Sequence, residues 1–189
     1  MIANEVIKAC LGSRANIASL VSEEDQEPTI LRRRADGGKY AVFFDPLDGS
    51  SNIDVSVGVG TIFGIVRLPE DASVRGADAI LHNGATMAAA GYVLYGSSTV
   101  MVLTTGNGVD MFVLDQSIGA FVLVKSKLTI PKGMKIYSIN EANRWQWDEP
   151  LRDYITALQK GEGQTGKQYT ARYLGSMVGD IHRTLLYGG

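Results

Sequence analysis

Apolar residues first recur at helical spacing. Between Ile2 and Gly12, Ile2, Val6 and Cys10 fall on one face with Ile7 beside them, which predicts an amphipathic helix packed through that face. The pattern then changes to short continuous runs. Ile17 to Val21, Tyr40 to Phe44 and Thr61 to Arg67 read as buried strands. Arg32, Arg33 and Arg34 read as a solvated turn, since three like charges are too few for a nucleic-acid patch. Pro69 to Gly84 is a charged, then polar, connection. The run Ala88 to Thr105, rich in Ala, Val and Tyr, contains at least one buried strand, with Tyr92 and Tyr95 expected in the core. Val109 to Leu114 and Ala120 to Lys125 flank Asp115-Gln-Ser-Ile-Gly119 in the manner of an antiparallel hairpin.

After Pro131 the character changes. Lys135 to Ile139 reads as a strand, Glu149 to Gln159 as a helix, Gly161 to Gln168 as a flexible loop and Val178 to Leu186 as a final helix. Trp145 and Trp147 are expected to pack or to meet an interface. Strands and helices mix without an internal repeat, so the fold class is α/β or α+β.

Chemistry concentrates in two places. Asp45-Pro-Leu-Asp-Gly-Ser-Ser-Asn52 follows a predicted strand, and Pro46 forces an extended or turn geometry in which Asp45 and Asp48 converge. Two carboxylates so placed repel unless a cation lies between them, and hard divalent ions take such oxygen ligands together with substrate phosphate. Gly49, Ser50, Ser51 and Asn52 add backbone N–H groups and hydroxyls where a short helix is expected to start, which suits an anion. A turn without chemistry has the same composition. The second place is Glu23-Glu24-Asp25, again after an apolar run. Alone it reads as a solvated loop, but beside the first motif it supplies a further metal ligand and a base for an attacking water.

Other signals are weaker. Gly161-Glu-Gly-Gln-Thr-Gly-Lys-Gln168 matches G-x-G-x-x-G and most of a P-loop. Gln168 lacks the hydroxyl a P-loop needs, and a helix precedes the segment where a strand is required, so it reads as a surface loop. His82 and His182 lack metal-ligand spacing and are taken as structural or solvent-facing.

Composition narrows the partners. The 189 residues suffice for one sizeable domain or two small ones, and the net charge of -2 predicts neither nucleic-acid nor membrane affinity. The single Cys10 excludes an internal disulfide and fits a reducing compartment. No apolar run approaches the length of a membrane span, and the N-terminus has neither a signal-peptide core nor a transit-peptide bias.

Motifs across nearly the whole chain resemble fructose-1,6-bisphosphatase. They are Val21-Ser-Glu-Glu24, Phe44-Asp-Pro-Leu-Asp-Gly-Ser-Ser-Asn-Ile-Asp54, Gly60-Thr-Ile-Phe-Gly64, Ala89-Ala-Gly-Tyr92, Tyr95-Gly-Ser-Ser98, Ile136-Tyr-Ser-Ile-Asn-Glu141 and Arg172-Tyr-Leu-Gly-Ser-Met-Val178, running on to His182-Arg-Thr-Leu-Leu-Tyr-Gly-Gly189. The D-P-x-D-G element alone would fit the wider magnesium-dependent phosphomonoesterases. Leu47, the Ser-Ser-Asn-Ile-Asp continuation and the Arg-Tyr-Leu-Gly-Ser block are similar to the sugar-bisphosphatase branch.

The resemblance implies a layered α-β-α-β fold, with an N-terminal domain over residues 1–127 and a partial C-terminal domain over 128–189. It implies hydrolysis of the 1-phosphate of fructose 1,6-bisphosphate, in gluconeogenesis or the Calvin cycle. Two or more Mg²⁺ ions, with Mn²⁺ or Zn²⁺ as substitutes, would be held by Glu23, Asp45, the Leu47 carbonyl and Asp48. Glu24 would orient or deprotonate the water, and Asp48, Gly49, Ser50 and Ser51 would hold the reacting phosphate. Asn140, Arg172 and Tyr173 would hold the distal 6-phosphate, and Met177 would line the sugar.

In the family that arginine comes from a neighbouring subunit, so a homo-oligomer, dimer or tetramer, is implied. Lys39, Tyr40 and Arg67 match part of the family's AMP site. By the same likeness, Met1 falls after the family's first helices, and Gly189 precedes its remaining carboxylate ligand and a substrate-binding lysine. The expected compartment is the cytoplasm, with a plastid as the alternative. The alternatives in function are a sedoheptulose-1,7-bisphosphatase and a non-catalytic fragment that joins full-length subunits.

Overall fold

Continuous apolar runs become the strands of one sheet. The computed structural model describes residues 2–70, 83–132 and 134–189. The chain divides into two compact units, Met1–Leu128 and Thr129–Gly189. The first opens with α1 (Ile2–Gly12) and continues through β1 (Ile17–Ser22), β2 (Thr29–Ile30), β3 (Tyr40–Asp48), β4 (Val59–Arg67), β5 (Ala89–Tyr95), β6 (Thr99–Thr104), β7 (Val109–Asp115) and β8 (Ala120–Lys125). These form an eight-stranded sheet in the order β2-β1-β3-β4-β5-β6-β7-β8. β1 and β3 are parallel, and every other neighbouring pair is antiparallel. The mixed α/β architecture matches the expectation.

The core lies on the α1 side of β1 and β3. Ile17, Leu20, Val42 and Phe44 are buried there, with Ile7, Leu11, Leu31, Phe63 and Ile65 packed against them. Ala18, Ala41 and Leu68 form a second cluster. The run Ala88 to Thr105 holds two strands, and β7 and β8 form the expected hairpin.

Three expectations in this unit need correction, and a fourth is narrowed. First, α1 does not pack through Ile2, Val6 and Cys10. Ile2 is 84% exposed and Val6 55%. Asn4, Ile7, Lys8 and Leu11, which share an arc of about 100°, make the inward contacts instead. Val6 and Cys10 border an apolar groove of about 640 Å³ between α1 and the sheet, floored by Tyr40, Phe44, Phe63 and Ala88. Second, Arg32 is not part of a solvated turn. Its guanidinium donates to the carbonyls of Gly12 (3.3 Å), Arg14 (2.9 Å) and Ile17 (3.3 Å), where carbonyls at a helix C-terminus attract a cation. Third, Tyr92 is buried as expected, but Tyr95 is exposed at the end of β5. Fourth, of the extended or turn geometry expected at Pro46, the structure takes the extended form, within β3 and at a bulge.

The second unit contains β9 (Ile136–Tyr137), α2 (Glu149–Lys160), β10 (Thr170–Ala171) and α3 (Met177–Tyr187), with β9 and β10 paired in parallel. Its buried apolar residues are Ile155, Leu158 and Val178. The strand expected over Lys135 to Ile139 is only two residues long. Trp145 is 84% exposed and contributes nothing to this packing. Asp148 caps α2 by accepting from the Leu151 N–H, and Gly161 ends it in a left-handed conformation at φ 77°.

Most of the expected Pro69–Gly84 connection, with His82, lies outside the described residues. Among the described residues no helix is long and apolar enough to cross a membrane.

Candidate active site

Parallel strands end at the same edge of a sheet, and that edge is where both acidic motifs meet. β1 and β3 run in register from Ser19 opposite Ala41 to Ser22 opposite Phe44. The ladder extends one step further, the Glu23 N–H donating to the Phe44 carbonyl at 3.0 Å. Glu23 and Glu24 therefore leave β1 beside the residue that precedes Asp45. Both are exposed, and Ser22 beneath them is buried, its hydroxyl accepting from the Glu24 N–H at 3.3 Å.

The Asp45–Asp48 segment is shaped by a bulge. Asp45 stands opposite Ile62 and Asp48 opposite Gly60, so β3 takes three steps where β4 takes two. The Leu47 N–H donates to Asp45 Oδ1 at 2.9 Å, closing a small turn over Pro46. The Pro46 carbonyl accepts from Thr61 Oγ1 at 2.9 Å, and Tyr95 OH lies 2.9 Å from the same Oγ1. The helix expected after Gly49 is a 3-10 helix, Ser50–Val55, entered through Gly49 in a left-handed conformation at φ 78°. A side chain at Gly49 would strain that entry.

Burial raises the Asp45 carboxyl above its ordinary value. The Leu47 N–H partly opposes this, and the charges of Asp48 and Glu24 add to it. Asp45 thus carries a poorly solvated carboxylate among like charges, a setting that a cation relieves. Among the described residues, no three His, Cys, Asp or Glu side chains gather closely enough to grip an ion by themselves. Asp25 turns away from this edge and pairs with α1.

The remaining candidates belong to the second unit. Asn140 Oδ1 accepts from the Ala142 N–H and caps the 3-10 helix Glu141–Gln146. That helix is tied to α2, because Glu141 accepts from Tyr137 OH and from Gln159 Nε2, and Gln159 also donates to Tyr137. Arg172 is anchored through its backbone N–H to the Tyr137 carbonyl at 2.9 Å, while its exposed guanidinium donates to the Ala171 carbonyl next to it. Tyr173 and Met177 are also exposed, at 54% and 55%. The Gly161–Gln168 segment folds back on its own helix, with the Tyr169 N–H donating to the Leu158 carbonyl, and the next element is β10, where a P-loop requires a helix. Nucleotide binding there gains no support.

Two family models match, "Fructose-1-6-bisphosphatase, N-terminal domain" over residues 1–126 and "Fructose-1-6-bisphosphatase, C-terminal domain" over residues 130–189. The chain belongs to the fructose-1,6-bisphosphatase family. A cytosolic fructose-1,6-bisphosphatase of Solanum tuberosum is 50% identical over 190 residues, covering 100% of this chain and 55% of the relative. A chloroplastic fructose-1,6-bisphosphatase of Brassica napus is 46% identical, covering 100% of this chain and 49% of the relative. Among solved structures, the Leishmania major fructose-1,6-bisphosphatase in holo form matches with a TM-score of 0.89 and 48% identity, over 100% of this chain and 59% of that one. The chain therefore spans about half the length of the relatives it matches.

Sequence reasoning missed the supports of the site. Thr61 and Tyr95 stood in quoted motifs, but their contact depends on β4 and β5 lying side by side. Lys39, Tyr40 and Arg67 lie at the opposite end of β3 from Asp45, with Tyr40 directly across from Arg67.

Proposed function

We propose that this chain binds a sugar bisphosphate and hydrolyses its 1-phosphate, converting fructose 1,6-bisphosphate to fructose 6-phosphate and phosphate. The observation that carries the reading is the parallel pairing of β1 with β3, which sets Glu24, Asp45 and Asp48 in one electrostatic field at a sheet edge. Ligands of α/β sheets bind at the carboxyl ends of parallel strands.

The donor set fits a hard divalent cation in kind, being carboxylate and carbonyl oxygens with Asp45 destabilised by its neighbours. Glu23, Asp45, the Leu47 carbonyl and Asp48 would hold Mg²⁺, with Mn²⁺ or Zn²⁺ as substitutes. When bound, the metal supplies charge neutralisation on the phosphate oxygens and the leaving alkoxide. Glu24 takes the proton of the attacking water. Asp48 and the Gly49–Ser51 segment position the reacting phosphate, so most of the rate comes from placement and charge.

In the second unit, Asn140, Arg172 and Tyr173 hold the distal 6-phosphate, and Met177 lines the sugar. The exposure of Arg172 supports its use across a homo-oligomer interface, where a guanidinium grips phosphate with two hydrogen bonds. The first unit then acts as the catalytic domain and the second as the domain for the distal phosphate. The cytosol is the proposed compartment, and the name of the Brassica napus relative raises the chloroplast as the alternative.

The test is orthophosphate release from fructose 1,6-bisphosphate by the purified chain, with and without Mg²⁺, beside Asp48→Ala and Glu24→Gln. Release that needs Mg²⁺ and disappears in both variants supports the reading. A folded chain that releases none, or whose release survives both substitutions, refutes it.

A further inference from the structure

Glu23 and Glu24 have proposed roles, and the third acid of the run has none. Asp25 faces α1. Its Oδ1 accepts from Asn4 Nδ2 at 3.0 Å and its Oδ2 from Lys8 Nζ at 2.8 Å. Asn4 and Lys8 are four residues apart on one helix, so a single face of α1 meets both carboxylate oxygens. Asn4 is only 3% exposed. A buried amide is costly unless paired; Asp25 takes its Nδ2, while Asn4 Oδ1 has no partner among the described residues. This contact sets the rotation of the helix, turning Asn4 and Lys8 inward and leaving Ile2 and Val6 exposed.

The other side of the turn is held by the sheet. The Glu23 N–H donates to the Phe44 carbonyl (3.0 Å), the Glu24 N–H to Ser22 Oγ (3.3 Å) and the Asp25 N–H to the Ser22 carbonyl (3.3 Å). The backbone from Ser22 to Asp25 is thus gripped from two directions, by β3 and by α1. Glu23 and Glu24 project from between the two grips, and both are exposed and long enough to wander without them.

We infer that Asp25 is a positioning residue. Docked on Asn4 and Lys8, it fixes the turn that presents Glu23 and Glu24 to metal and water, which makes α1 part of the support of the site. The assignment rests on the proposed phosphatase reading for what Glu23 and Glu24 do, while the docking is independent of it. The Lys8–Asp25 ion pair by itself adds little to stability, its side chains being 26% and 23% exposed. The effect belongs in local order and metal affinity.

The experiment compares the full chain with Asp25→Ala, Lys8→Met and Lys8→Arg, the last keeping a donor at that position. Metal-free amide hydrogen exchange over residues 22–25 is read first, then Mn²⁺ binding by electron paramagnetic resonance, then kcat and KM for phosphate release. Exchange across the turn is expected to speed by roughly tenfold or more in Asp25→Ala. Mn²⁺ affinity is expected to fall by roughly 10–100-fold, the usual loss for a group that orients metal ligands. Lys8→Met should move both readouts in the same direction and Lys8→Arg should restore them, with kcat falling and KM held.

Exchange and Mn²⁺ affinity within twofold of the parent in a folded Asp25→Ala chain would overturn the assignment. If Asp25→Ala does not fold, Lys8→Met at its half-buried position decides by the same readouts. A parent that binds no Mn²⁺ would count against the phosphatase reading, and the exchange result would still decide whether Asp25 orders the turn.

Discussion

Replacing Thr61 by valine removes one hydroxyl that supports the Asp45–Asp48 bulge. The direction of its hydrogen bonds follows from chemistry. A carbonyl only accepts, so the single proton of Thr61 Oγ1 goes to the Pro46 carbonyl, and Tyr95 OH must be the donor to Thr61. Pro46 is among the most buried residues of the chain. Stranding its carbonyl in Thr61→Val should therefore cost about 1–3 kcal/mol, the penalty for a buried polar group left unpaired. Thr61→Ser keeps the hydroxyl and gives up a methyl, a loss of about 0.8 kcal/mol at most. Tyr95 is 40% exposed, so in Tyr95→Phe the loss should be no more than about 0.5–1 kcal/mol. In the double variant Thr61→Val/Tyr95→Phe, the tyrosine has already lost its partner, and the total should match Thr61→Val alone.

The assay is urea unfolding of the four variants and the parent, read as shifts in midpoint at unchanged slope. Mn²⁺ affinity is measured on the same samples. The bulge carries Asp45 and Asp48, so affinity should weaken in Thr61→Val and persist in Thr61→Ser. Two results would refute the reasoning: Thr61→Ser as unstable as Thr61→Val, or full additivity of valine with phenylalanine.

Three further outcomes are expected. Gly91→Ala should abolish stable folding or cost upwards of about 3 kcal/mol, because a Cβ there would run into the Val102 carbonyl and the Phe63 ring, a result circular dichroism and urea melts would register. Asp148→Ala should lose about 0.5–2 kcal/mol, the value of an N-cap, since Asp148 accepts from the Leu151 N–H at the start of α2. Burial, then the hydrogen bond to Glu141, raises the Tyr137 phenol above its ordinary value. Its contribution is complete below the unfolded value of about 10 and is lost as pH climbs through the folded one. Fluorescence of Trp145 and Trp147, the only tryptophans and both in the second unit, should therefore show alkaline unfolding that flattens in Tyr137→Phe.

Much of the fold could be read from local pattern. β1, β3, β4, β7 and β8 each followed an apolar run, and α2 carried its own start and stop in Asp148, Pro150 and Gly161. The two-residue strands β2 and β10 had no pattern to read. The face of α1 was misassigned because the residue at the centre of its inward arc is Asn4, and its partner Asp25 lies 21 residues away. Arg32 was misread for the same reason, since the carbonyls it grips belong to the end of α1 and the start of β1. The acidic motifs were legible because each is contiguous. Their meeting was expected only from the family resemblance, since it depends on β1 pairing in parallel with β3 rather than on any spacing. The side-chain hydrogen bonds that hold the site, from Thr61, Tyr95 and Asp25, all join residues at least 15 apart in sequence.

The central claim is that the β1–β3 edge removes the 1-phosphate of a sugar bisphosphate. A ³¹P NMR time course of fructose 1,6-bisphosphate with the chain and Mg²⁺ tests it most directly, because it shows which phosphate leaves. The account predicts that the C1 resonance decays, inorganic phosphate grows in step, the C6 resonance persists, and Glu24→Gln halts the change. Loss of the C6 phosphate, or a spectrum that does not change with folded, Mg²⁺-loaded chain, would contradict it.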